Sequence, residues 1–113
     1  MIARSTPWGT IQTGPEFARL SALEQKAVIA HERGHIHHRH FWKRIGWLLT
    51  KGIGKKSLEH FLKMCETQEL EADRYAVSTG HADGLACFLL RSPLDVKLVG
   101  YPTHRQRLEA IRG

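Results

Sequence analysis

Apolar residues recur at helical spacing along most of this chain, and turn-forming residues divide it into a few segments. Leu23, Ala27, Ala30 and Gly34 fall on one face of a helix, and Ser21-Ala22-Leu23-Glu24 ahead of them has the form of a capping box. A long helix is therefore expected from Ser21, fraying near residues 40–42. A glycine within a helix costs about 1 kcal/mol relative to alanine, so Gly34 marks a place where another element comes close. Gly52 and Gly54 break the pattern, and Ser57 is expected to cap a second long helix that runs to about Thr79 and is ended by Gly80. Its apolar side carries Leu58, Phe61, Leu62, Cys65 and Ala76. Asp83 to Leu90 reads as a third, shorter helix stopped before Pro93, and Thr103-His104-Arg105-Gln106 is a second capping box that opens a last one. Residues 6–15 mix β-favouring and turn-forming types, which predicts a short strand, hairpin or extended arm. The expected class is mainly α, with a short N-terminal extended segment and two long helices.

At 113 residues and 42% hydrophobic, the chain is expected to form one domain, residues 1–113, around one modest core that a bound metal would help to hold. Cys65 and Cys87 do not form a CxxC pair, which favours a reducing, cytoplasmic setting over a disulfide scaffold. The N-terminal stretch lacks the apolar core of a signal peptide, and no run of about 18 apolar residues is present to span a membrane. The net charge of +6 changes the picture more. Its bases are densest at Arg39, Lys43, Arg44, Lys51, Lys55 and Lys56, around Ile45-Gly46-Trp47-Leu48-Leu49. The plain reading is a solvated loop with a few core-facing apolar residues; the alternative is peripheral contact with an anionic membrane or nucleic acid. Trp8, Trp42 and Trp47 read as packing anchors, with Trp42 and Trp47 also placed to border a substrate groove or meet a membrane interface.

Candidate chemistry centres on His31-Glu32-Arg33-Gly34-His35. Two histidines four apart share a helix face about 6 Å apart along the axis, close enough to grip one ion, and Glu32 stands beside it. This is the HExxH arrangement of zinc peptidases, in which the histidines are ligands and the glutamate is general base for a water the metal activates. A catalytic zinc takes three protein ligands, so the second long helix should supply the next. Glu69 and Asp73, four apart, are the candidates: one to ligate, the other to hold a ligand's free ring nitrogen. Glu71 points elsewhere. The metzincin pattern requires glycine at position 38 and histidine at position 41, where this chain has His38 and Phe41. An SprT-like site would need a third histidine, with His60 or His81 available.

HExGH followed by ExEADRYA on a later helix resembles the gluzincin peptidases that include HtpX and the CAAX prenyl endopeptidase. The lead-in LSALEQKAVIAHERGHI is similar to that family's motif helix, a histidine such as His40 often follows, and YPTHRQRLEAI resembles its Thr-His-Pro segment with a downstream Arg. Arg105 here takes the place of the proline, and Arg107 is the next arginine. The likeness runs from about Gly9 onward, and the chain resembles a reduced core lacking the family's membrane-spanning helices. It implies a minimal zincin-like zinc endopeptidase: one catalytic zinc ion held by His31, His35 and Glu69, Glu32 as general base, and Asp73 fixing a ligand's tautomer. His104 would stabilise the oxyanion or merely start the last helix, and Tyr75 is a weaker oxyanion candidate. His37, His38 and His40 read as exposed helix-end histidines, with an adventitious second ion conceivable at His38, and Cys65 as core packing in preference to a thiol near zinc. Two alternatives stand beside the peptidase: a zinc-binding but weakly active regulatory or toxin-like module, and an SprT-like, nucleic-acid-associated protease.

Overall fold

A computed structural model describes residues 2–112 as a mainly helical unit with a small hairpin at one end. Strands β1 (Ala3–Ser5) and β2 (Ile11–Thr13) pair antiparallel, with Ala3 opposite Thr13 and Ser5 opposite Ile11. Pairing starts at residue 3, ahead of the expected segment, because residues 6–10 are used up by the turn: Thr6 N–H donates to the Thr10 carbonyl at 2.8 Å. A short 3-10 turn, Pro15–Arg19, leads into α1 (Ala22–His37). The capping box there is complete, with Glu24 N–H donating to Ser21 Oγ and Ser21 N–H to Glu24 Oε1, both at 3.2 Å.

The chain does not fray after α1. Arg39 adopts a left-handed conformation at φ 55, which reverses the path, and α2 (His40–Lys51) begins at once. The basic segment read as a loop is thus a helix, and its apolar residues at helical spacing are the reason. Helix α3 (Lys55–Ser78) follows, with Gly54 and not Ser57 at its N-cap. Ser57 Oγ instead donates to the carbonyls of Lys51 and Gly52, at 3.1 and 3.0 Å, tying α3 to the end of α2. Helices α4 (Ala82–Leu89) and α5 (His104–Arg112) complete the unit, α5 opened by reciprocal bonds between Thr103 and Gln106.

Helix α1 packs against α3 and α4, and two glycines permit it. A Cβ at Gly34 would stand 2.8 Å from Ala72 Cα and 3.0 Å from its carbonyl oxygen, and a Cβ at Gly84 would run into the Leu23 carbonyl. The core beneath is small: Ala27, Ala30, Ala76, Leu85, Leu89 and Leu108. Leu23 and Leu58, expected on apolar faces, are 51% and 44% exposed. No residue of α3 before Cys65 is buried, so its first turns project from the body. Arg91, just past α4, reaches back to Glu24, donating from Nη2 to Oε1 at 2.7 Å and from Nε to Oε2. Among the described residues no helix is long and apolar enough to cross a membrane.

Candidate metal centre

Because α1 and α3 touch backbone to backbone at Gly34 and Ala72, the side chains one turn to either side are forced together. His31 and His35 from α1 meet Glu69 from α3. The Nε2 atoms of the two histidines are 3.1 Å apart, His35 Nε2 lies 2.7 Å from Glu69 Oε2, and His31 Nε2 lies 3.4 Å from Glu69 Oε1. Three donors bound at 2.0–2.1 Å to one tetrahedral ion are about 3.3 Å apart, so these residues fit a zinc-sized cation. Glu32 competes for the third position, since one of its oxygens lies within 4.8 Å of both histidine donors. The electrostatics separate the two carboxylates. Burial raises the Glu32 carboxyl against the pull of His31 and His35, whereas hydrogen bonds from both histidines overcome burial at Glu69 and hold its carboxyl well below the usual range. Of the two, Glu69 is the carboxylate that its neighbours hold ionised. Glu32 Oε2 is buried with no hydrogen-bond partner among the described residues.

Each histidine's remaining nitrogen is held. His31 Nδ1 donates to Asp73 Oδ1 at 2.7 Å, which leaves Nε2 as the nitrogen that faces His35 and Glu69. Asp73, 1% exposed, is itself gripped by Arg107 through Nε and Nη2 at 2.7 and 2.8 Å. Burial disfavours the Asp73 carboxylate, but Arg107 and His31 outweigh it and lower its pKa. Burial likewise disfavours the His31 imidazolium, and Asp73 and Glu69 overcome it, raising His31 to about 9 in the metal-free chain. His35 Nδ1 meets His40 Nδ1 at 2.8 Å. His40 is 2% exposed, a correction to its reading as an exposed helix-end residue, and burial together with the neighbouring His35 lowers it to about 3. It is buried because the reversal at Arg39 folds the first turn of α2 back onto α1.

The remaining expected site residues are dispersed. His104 Nδ1 donates to the Leu89 carbonyl at 2.9 Å, securing the end of α4, and does not line the cleft over the metal donors. Arg107, one turn further along α5, enters that cleft instead. Tyr75 stacks on His37, 5.1 Å between centroids, on another face of α1. Cys65 is buried with its thiol pushed up by desolvation, which fits packing. His60 is exposed and His81 pairs with Thr79, so neither supplies the third histidine of an SprT-like site.

The cleft holds about 320 Å³ and is lined by the apolar Val28, Leu85 and Phe88, by β1, and by Phe41, Arg44 and Tyr101. Sequence reasoning does not bring Tyr101 or Arg44 to the cleft, and it leaves Arg107 without a role. The Thr103 capping box does place Arg107 one turn into a helix, but linear spacing says nothing about which buried acid that turn will face. Comparison with protein-family models, with curated proteins and with solved structures finds no match to this chain.

Proposed function

We propose that this chain is a zinc-dependent endopeptidase of the gluzincin type, with His31, His35 and Glu69 as ligands and Glu32 as general base. The observation that carries the reading is the convergence of three donors from two helices beside Glu32, whose buried Oε2 has no hydrogen-bond partner among the described residues. Zinc bound there supplies Lewis acidity and lowers the pKa of a water from 15.7 to about 7. Glu32, its carboxyl raised by burial, takes up the proton of the attacking water and returns it to the leaving amine. Asp73, braced by Arg107, keeps His31 in the Nδ1–H tautomer. An extended peptide fits the cleft because β1 borders it and pairs only with β2 among the described residues, which leaves an edge for strand addition. Tyr101 and Arg44, which line the cleft, offer donors to substrate carbonyls.

The test is zinc analysis with peptide-library cleavage on wild type, Glu32→Gln and Glu69→Ala. Glu32→Gln should keep zinc and lose about 100-fold or more in turnover, and Glu69→Ala should lose both. Undiminished cleavage by Glu32→Gln would sink the assignment. Stoichiometric zinc without turnover of any unfolded protein would favour the regulatory or toxin-like module.

The basic segment supports a peripheral location at an anionic membrane in preference to nucleic acid. Residues 33–58 contain Arg33, Arg39, Lys43, Arg44, Lys51, Lys55 and Lys56 and no acid. On α2, Lys43 and Lys51 accompany an exposed apolar stripe of Phe41, Trp42, Ile45 and Leu49, the last 82% exposed. Phosphate recognition has no use for exposed leucine, whereas an interfacial helix needs it. Co-sedimentation with anionic but not neutral vesicles, abolished by Leu49→Glu, is the expected result; salt-sensitive DNA binding without vesicle binding would reverse the preference.

A further inference from the structure

A second cluster of metal-type ligands sits behind the first. His38, the C-cap of α1, and His40, the first residue of α2, are separated only by left-handed Arg39, and the turn stacks their rings 5.3 Å apart at 13°. Both face Glu71 of α3, which lies on a different side of that helix from Glu69. His38 Nδ1 is 3.7 Å from Glu71 Oε2 and His40 Nε2 is 3.7 Å from Glu71 Oε1, all within 4.8 Å of one another. The His40 ring is 2% exposed, and its Nε2 has no hydrogen-bond partner among the described residues, although it points at this cluster. A buried ring nitrogen without a partner is costly, and a bound cation would satisfy it.

We propose that His38, His40 and Glu71 form a second divalent-cation site, a set of two imidazoles and one carboxylate with open positions that suits zinc. Each histidine nitrogen lies 3.7 Å from a Glu71 oxygen, about 0.4 Å more than the separation of two donors on one tetrahedral ion. The second site does not depend on the first centre holding an ion.

The experiment is a zinc titration of the full chain, read as ions bound per chain and as affinity, with wild type, His38→Gln, Glu71→Gln and Glu69→Gln. Wild type should take up about two ions, and His38→Gln and Glu71→Gln should each keep only one. Glu69→Gln should keep the ion at the second site. Unchanged stoichiometry in both His38→Gln and Glu71→Gln would overturn the second site. A single wild-type ion lost in Glu69→Gln alone would overturn it and leave the first centre standing. A single ion lost in Glu71→Gln but kept in Glu69→Gln would do the reverse. Far-ultraviolet circular dichroism on each variant confirms that lost binding is not lost folding; Glu71 and His38 are both partly exposed, so their replacement leaves the core intact.

Discussion

His31 shows most directly how single side chains set the behaviour of the centre. Its metal-free pKa of about 9, against an ordinary 6.5, means that the ring carries a proton at neutral pH that an incoming cation must displace. Zinc binding near pH 7 should therefore release about one proton, measurable by calorimetry in buffers of different ionisation enthalpy, and affinity should fall as pH falls. Asp73→Asn removes the carboxylate that fixes the His31 tautomer, and a zinc affinity weaker by about 10- to 100-fold is expected in chelator competition. The grouping of His31, His35 and Glu69 beside Glu32 is legible in the sequence because HExxH and ExxxD are spaced by one helical turn, a local rule. His40 is not, because its burial depends on one left-handed residue, Arg39, where propensity gives no warning.

Between elements, the decisive contact is Gly34 against Ala72. Gly34→Ala gains up to about 1 kcal/mol of helix propensity but forces apart two backbones that cannot yield, an overpacking cost of about 1–3 kcal/mol. Net destabilisation is expected in urea unfolding, together with weaker zinc binding, because the ligands on α1 and α3 separate. The Glu24–Arg91 pair joins the start of α1 to the chain after α4 and gives a pH signature. Arg91 chiefly, with help from Ser21 and against burial, lowers Glu24 to about 2 from 4.5. A depressed carboxylate stabilises fully above its unfolded value and loses that contribution as pH falls from 4.5 towards about 2. The wild-type urea midpoint should thus drop across this window more steeply than that of Glu24→Gln. Both capping boxes announce their helices in sequence, since they are closed within four residues. The Ser57 cap fails because a rival, the two carbonyls ending α2, takes the hydroxyl.

At the scale of the whole molecule, the core is built largely of alanine and leucine, and eight buried polar or charged residues stand beside it, six of them, His31, Glu32, His40, Glu69, Asp73 and Arg107, at the candidate centre. A domain of this size has little apolar burial to spare, so an ion held as proposed would contribute directly to its folding free energy. Removing metal with a chelator should lower the thermal midpoint by several degrees, and re-addition of zinc should restore it in a concentration-dependent way. The helical class and the single domain follow from periodicity and length. The arrangement of α4 and α5 around α1 and α3 does not, because it is set by Gly84 and by Arg107, whose partners lie far away in sequence. Arg107 also orders events in time. Synthesis runs from the N-terminus, so a growing chain displays His31, His35 and Glu69 before the arginine that steadies Asp73 has been joined to it. The side chains that brace Asp73 are thus incomplete until α5 has followed the helices that carry His31, His35 and Glu69.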